Sequence, residues 1–407
     1  MISSLLNEGY DKNIKVSKGL KSKIYINNKE YIDLSFCAGT LLLGHNSKIY
    51  KNSLKKLANN NVSNFAMPNV HADKMASLLK KIFKKNKKFI FCNTGSESVL
   101  KSIRIAKAVS KKDLIISVSG SWHGSLDQFL FMPDKQFNPQ SSSSGISNFY
   151  KKNLKYIPYN DIKSSKMKLD KIKSKIAAII IEPIQACLPT ENSKEYLIFL
   201  DKYCKKNKII LIFDETITGL RTFEGSVQDK FNLDPSITTF GKCIGGGAPI
   251  GAIGISKKFI NKYKLRKKKV YFGGTFSGNS MSTFVGYNTI KYILKNKKIL
   301  KILNLKAEYV RSQINDFIIK YNLNAKVYGF ESMLRIVFSK DNIINRSQRD
   351  FLEKDKLKNV IKFKNFVFKN KIYYPSNGII FISSETTYSD CRYIISVFKK
   401  GLFKYFK

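Results

Sequence analysis

Acid is scarce in this 407-residue chain. Against 73 Lys and Arg stand only 29 Asp and Glu, a formal net charge of +44. Arginine is scarce as well, at eight residues, so nearly all the positive charge is lysine. Bidentate contacts to phosphates and base edges favour arginine. The lysines are also spread along the whole chain, with local runs such as KKIFKKNKK (80–88) and KLRKKK (264–269). This reads as a solvated lysine surface, with no nucleic-acid partner and no membrane face. A basic nucleic-acid- or membrane-binding protein stands as the non-enzymatic alternative. The six cysteines form no CxxC pair, which excludes a disulfide framework and a zinc site and suits a reducing compartment. No apolar run approaches the roughly 20 residues that span a bilayer. The N-terminus lacks the apolar stretch of about 7–15 residues found in a secretory signal. A cytoplasmic protein is expected.

What is present suffices for a large interior: 43% hydrophobic residues, with 29 Phe and 21 Tyr. The length asks for more than one core. Residues 1–50 read as an N-terminal segment that packs with a small domain. KIYINNKEYIDLSF (23–36) predicts a hairpin turning at Asn27-Asn28. His45, in a Gly-His-Asn turn, reads as structural. Residues 51–290 read as a large domain and 291–407 as a small α+β domain at the C-terminus. The latter follows a long helix predicted over 289–318, alternating segments at 332–339, 371–376 and 378–384, and a closing helix over 390–403.

Within the large domain, strands alternate with helices. Phe89–Phe91 leads through Asn93-Thr94-Gly95-Ser96 into a helix over 97–109, and Leu114–Val118 ends at Ser119-Gly120-Ser121-Trp122-His123-Gly124. A buried strand at 176–183, a helix at 196–207 and a strand at 209–213 follow. This spacing predicts a mainly parallel, doubly wound α/β sheet. PIGAIGIS (249–256) and VYFGGTFSGNS (270–280) are expected to continue the sheet at its edge. The serine-rich 134–152 stretch reads as a surface loop serving as a lid or a dimer contact.

Four features carry chemistry. Asp214 ends an apolar strand, where open α/β sheets place ligands. Lys242 sits in a Thr-Phe-Gly-Lys turn before three glycines, a candidate Schiff-base amine. The Thr94-Gly95-Ser96 loop opens a helix whose free N–H groups suit a phosphate, although the same residues would serve as a plain N-cap. Trp122, the only tryptophan, can lie flat on a planar ring or simply pack. His123 reads as a supporting residue. Together the four match what pyridoxal phosphate (PLP) requires: an amine, a carboxylate for the ring nitrogen, a ring platform and a phosphate cradle.

At these residues the chain resembles the class III PLP-dependent aminotransferases, and within them the glutamate-1-semialdehyde 2,1-aminomutase branch. The resemblance is carried by CNTGSESVLKSIRIAKAVS, SWHGSLDQFL, IIIEPIQA, FDETITGLR, TTFGKCIGGGAPIGAIG and GGTFSGN. It covers most of residues 20–290 and, weakly, the segment around YYPSNGIIFIS. It implies an aspartate-aminotransferase-like fold, a homodimer with the active site at the subunit boundary, and a small amino/carbonyl substrate. Lys242 would match the Schiff-base lysine, Asp214 the partner of the ring nitrogen, and Gly95 and Ser96 the phosphate loop. Trp122 would match a stacking aromatic, and Thr275 a threonine that reaches the phosphate of the neighbouring subunit. The chain departs from its relatives at Cys187, where they carry asparagine or glutamate, and at Ile217, where some carry glutamine. It has no arginine before Arg104. An intermolecular aminotransferase using a donor such as glutamate is therefore the alternative to an aminomutase.

Overall fold

The computed structural model describes residues 14–263 and 270–407, so the basic run at 264–269 and the first 13 residues lie outside the described residues. The chain divides into two compact units. One comprises 1–51, 186–190 and 293–407; the other comprises 52–185 and 191–292.

The first unit begins with β1 (Val16–Leu20), β2 (Lys23–Ile26) and β3 (Lys29–Asp33). β2 and β3 form the expected hairpin, with Ile26 opposite Lys29. Asn27 and Asn28 both take positive φ, 48° and 61°. A two-residue turn of that kind matches the right-handed twist of its strands, and asparagine tolerates the left-handed region. His45 Nε2 donates to the Asp33 carboxylate at 2.7 Å, a structural tie within this unit.

The second unit is built on a seven-stranded sheet. Its strands are β4 (Asn86–Cys92), β5 (Leu114–Val118), β8 (Leu154–Ile157), β9 (Ile176–Ile181), β10 (Ile210–Asp214), β11 (Ile237–Gly241) and β12 (Gly251–Ser256). Their order is β4-β12-β11-β10-β9-β5-β8. Pairings from β11 through β8 are parallel. β12 alone runs antiparallel to both neighbours. The mainly parallel sheet is therefore as expected, but β12 is not at its edge. All six of its residues are buried, and a small apolar strand that is dry on both faces belongs inside a sheet. Residues 271–279 form no strand. Two adjacent glycines and the exposed Tyr271 and Phe276 give that segment neither alternation nor a face to bury.

The serine-rich stretch also differs from a plain loop. β6 (Phe131–Pro133) and β7 (Pro139–Ser141) form a two-stranded ribbon, followed by a short helix at Asn148–Lys152. Ile115, Ile180, Ile210, Ile212, Ile237 and Ile253 fill the core against the Gly95–Ser110 helix through Val99, Ile103 and Ala106. Each such side chain contributes about 1.5–3 kcal/mol on burial.

The chain then returns to the first unit. The predicted long helix is two helices, Ser280–Lys295 and Lys298–Lys320, broken at Asn296-Lys297. Then come β13 (Lys326–Phe330), β14 (Met333–Val337), the helix Leu357–Lys369, β15 (Ile372–Tyr373) and β16 (Ile379–Phe381). β15 joins β3 in parallel, so two segments far apart in the chain share one sheet. The closing helix Tyr388–Phe406 starts with a capping box between Thr387 and Asp390.

Candidate functional site

The carboxyl ends of β10 and β11 meet the amino end of the Gly95–Ser110 helix in the second unit. Asp214 is the last residue of β10, and Thr239 of β11 stands opposite it in register. Both of its carboxylate oxygens are engaged. Oδ2 lies 2.8 Å from His123 Nδ1, and Oδ1 accepts from the hydroxyls of Thr216 at 2.6 Å and Thr239 at 2.8 Å. Burial pushes the carboxyl up, but the bond to His123, its charge, and the two threonine hydroxyls outweigh that and hold Asp214 below its ordinary value. His123 is itself buried, and among the described residues its Nε2 has no hydrogen-bond partner.

Lys242 follows β11 directly. Its φ is 48°, a left-handed conformation that a non-glycine residue adopts only where its surroundings enforce it. Burial pulls its ammonium below the ordinary value; the charge of Glu182 opposes this most, and Arg221 adds to it. A lowered pKa raises the share of free amine, the nucleophilic form. Glu182 accepts from the Trp122 backbone N–H at 2.5 Å. Gln185 donates to the Ser119 carbonyl at 2.8 Å and to Ser121 Oγ at 3.0 Å. The loop after β5 is thus stitched to the loop after β9.

The helix N-terminus is packed against this rim. Thr94 caps it, accepting from the Glu97 N–H at 3.1 Å. A Cβ built on Gly95 would come within 2.8 Å of Thr216 Cγ2. Gly124 takes φ +86°, and a Cβ there would fall 2.2 Å from Ser96 Oγ. Only glycine permits that approach, and Ser96 Oγ then accepts from the Ser125 N–H at 3.2 Å. The first-turn amides have no acceptor within the helix, as at any helix start.

Of the residues singled out in the sequence, Asp214, Lys242, Thr94, Gly95 and Ser96 are gathered at this rim. Trp122 is joined to it through its backbone, and the residue is 55% exposed. Thr275 lies on an exposed turn of the 271–279 segment, and no described contact ties it to Asp214 or Lys242. Cys187 falls in the first unit, where its carbonyl accepts from Arg349 at 2.6 Å. The Ile217 carbonyl accepts from Arg221 Nε at 2.8 Å.

Sequence reasoning left the His123 contact unassigned and missed Thr216, Thr239 and Glu215. Thr216 had a local signal, since a threonine two residues past an acid can donate to it. Glu215 had none. It is wholly buried, accepts from the Val227 and Gln228 N–H groups, and burial raises it to about 7.

The donor set fits pyridoxal phosphate. A carboxylate held ionised suits a protonated ring nitrogen, a depressed amine suits a carbonyl carbon, and the Ser96–Gly124–Ser125 cradle with its helix terminus suits a phosphate.

Comparison with known proteins agrees. The Aminotransferase class-III family profile matches residues 7–365. Glutamate-1-semialdehyde 2,1-aminomutase of Methanosphaera stadtmanae is 32% identical over 403 residues, covering 97% of this chain and 92% of its own length. The Wigglesworthia glossinidia brevipalpis aminomutase is 35% identical over 326 residues, covering 77% and 73%. Among solved structures, an omega-transaminase from Sphaerobacter thermophilus superposes with a TM-score of 0.88 at 20% identity, covering 96% of this chain and 91% of that one. A glutamate-1-semialdehyde aminomutase from Pseudomonas aeruginosa PAO1 gives 0.86 at 15% identity, covering 96% and 88%. At those identities the structures speak for the fold alone, which is that of the PLP-dependent transaminases. The family match over most of the chain carries the rest: this protein belongs to the class III aminotransferases, enzymes that work with pyridoxal phosphate.

Proposed function

We propose that the protein moves an amino group on a small amino/carbonyl substrate of the glutamate-1-semialdehyde type, with Lys242 and Asp214 as its catalytic pair. What supports this most is the sheet rim, where Asp214 ends one strand and Lys242 directly follows its parallel neighbour, the carboxyl held below and the amine pulled below their ordinary values. Bound pyridoxal phosphate supplies an electron sink for the substrate carbon that loses a proton. Lys242 would hold the cofactor through its amine, and as a free amine it would take and return the proton at the substrate's α-carbon. Asp214 would keep the ring nitrogen protonated, with His123 holding Asp214 ionised and oriented. Ser96, Gly95 and Thr94 present N–H and hydroxyl donors to the phosphate, and Trp122 offers its ring face.

An aminomutase performs both halves of the exchange on one carbon skeleton. The full-length identity to curated aminomutases favours that form. A specific observation favours the alternative, an intermolecular transaminase with a donor such as glutamate: no arginine precedes Arg104 to meet a substrate carboxylate.

We place Thr275 at the phosphate of a second copy of the chain. Exposed apolar side chains support such a homodimer. Phe65, Met67 and Val70 stand on one segment and Tyr271, Phe276 and Met281 on another. The two segments are tied by the Asn69 side chain donating to the Gly278 carbonyl at 2.9 Å. Contiguous apolar surface of this kind marks an interface. All six cysteines are free thiols, consistent with a cytoplasmic location. Among the described residues no helix is long and apolar enough to cross a membrane.

The deciding experiment mixes the cofactor-loaded protein with glutamate-1-semialdehyde alone, and separately with glutamate plus candidate carbonyl compounds. Spectrum and products are followed. Conversion of the semialdehyde without a donor establishes the aminomutase, and turnover only with a donor establishes the transaminase. Inertness in both arms, with no spectral change, sinks the proposal.

A further inference from the structure

Ser376 and Asn377 present consecutive carbonyls to two cations. The Lys364 ammonium donates to the Ser376 carbonyl at 2.5 Å, and Nη1 of Arg335 donates to the Asn377 carbonyl. Arg335 comes from β14, Lys364 from the Leu357–Lys369 helix, and the carbonyls from a tight turn that the Gly378 N–H closes onto the Pro375 carbonyl at 2.9 Å. Gly378 takes φ +74°, and a Cβ there would stand 3.2 Å from the Arg335 guanidinium. Glycine therefore leaves a flat seat on which the guanidinium rests. Asn377 is exposed while Arg335 and Lys364 are half-buried, so the pair sits at the edge of the interior, beneath an exposed turn residue.

The charges here are not balanced. Among the described residues, neither Arg335 nor Lys364 forms an ion pair with a carboxylate. Arg349, the third cation of the neighbourhood, is paired with Asp350 and Glu353. Nε of Arg335 is buried with no hydrogen-bond partner. Burial first, and then the charge of Arg335, bring Lys364 down to about 8, with Glu353 opposing. Arg335 is held below its ordinary value by burial and by Arg349. Peptide carbonyls supply partial charge only. Two like charges side by side in a partly dry site are relieved by an anion that takes up their remaining donors.

We propose that Arg335, Lys364 and the Pro375–Gly378 turn form a binding site for the carboxylate or phosphate group of a small anion. The site lies in the compact unit that does not contain Asp214 and Lys242. The guanidinium offers the planar fork and the ammonium the point charge of such a site. It stands independently of the cofactor roles proposed above, because binding is read without turnover.

The test is calorimetric titration of the cofactor-loaded protein, at low ionic strength, with inorganic phosphate and with glutarate. Saturable binding of at least one anion is expected. Arg335→Gln and Lys364→Met should each weaken it tenfold or more. Arg311→Gln should leave it unchanged, since Arg311 is already paired with Glu308 at 2.7 Å. Arg335→Lys, which keeps the charge and loses the fork, should fall between. Two arms separate the sources of the anion. A tenfold rise in KM for a carboxylate-bearing substrate, without change for an uncharged amine, assigns the group to the substrate. Unchanged KM with lost phosphate binding assigns a separate ligand. Should Arg335→Gln fail to fold, Lys364→Met decides. No saturable binding by the unaltered protein, or equal affinity in the altered ones, overturns the proposal.

Discussion

The rim around Asp214 and the turn around Gly378 both hold buried or half-buried charge, yet they manage it in opposite ways. At the rim, Asp214 has His123 and two threonine hydroxyls. At the turn, Arg335 and Lys364 donate to peptide carbonyls, and among the described residues neither forms an ion pair with a carboxylate. A closed network fixes protonation states and geometry, as reaction chemistry requires. An open one leaves donors for something that arrives. Arg349, with the Cys187 carbonyl and two acids, shows that the same unit can also close such a network.

That contrast can be broken from the rim outward. Lys242→Ala should lower turnover by about 10⁴-fold or more, as expected where one group performs the proton transfer; steady-state rates on the cofactor-loaded protein measure it. Asp214→Asn should follow with about 10²–10³-fold in kcat, the scale of a lost preorganised charge. His123→Phe should cost less and instead move the pH profile. Without His123, only the two threonine hydroxyls oppose burial, so the Asp214 carboxyl rises and the acid limb of the rate moves to higher pH. An acid limb that stays put would detach His123 from Asp214.

The next effects concern stability. Arg349→Met takes the cation away from the largely buried Glu353, while Asp350 keeps Arg346, and should lower the unfolding free energy by about 2 kcal/mol. Arg335→Gln should change it by about 1 kcal/mol or less, since it removes an uncompensated charge. Equal losses in denaturant titrations would erase the difference between the closed and open networks. The smallest effect is at Glu215. Its folded carboxyl, raised to about 7 from 4.5, holds its proton more tightly than the unfolded chain does. Stability therefore declines as pH rises from the ordinary value towards about 7, and levels off above it. Glu215→Gln should flatten that slope in melting curves taken from pH 5 to 8.

Much of this was legible in the sequence, for identifiable reasons. Asn27-Asn28 announced its turn because two left-handed residues in a row need asparagine or glycine. Asp214 announced a strand end because an acid closed the apolar run Ile209–Phe213. Other features were not legible. β12 reads as a small apolar strand whether it lies at an edge or inside, and only its pairing with both β4 and β11 decides. The long helix over 289–318 shows continuous helical spacing across Asn296-Lys297, where the chain nevertheless breaks.

By itself, then, the sequence determined the local elements, the alternation of strand and helix, and the residue types that make cofactor chemistry possible. These follow from periodicities of two and 3.6 residues and from backbone preferences that act over one turn. The tertiary structure decided the strand order, the meeting of His123 with Asp214 across 91 residues, and the seating of Arg335 and Lys364 on neighbouring carbonyls. Those depend on which crossovers bury the most apolar surface, and no short window of residues carries that information.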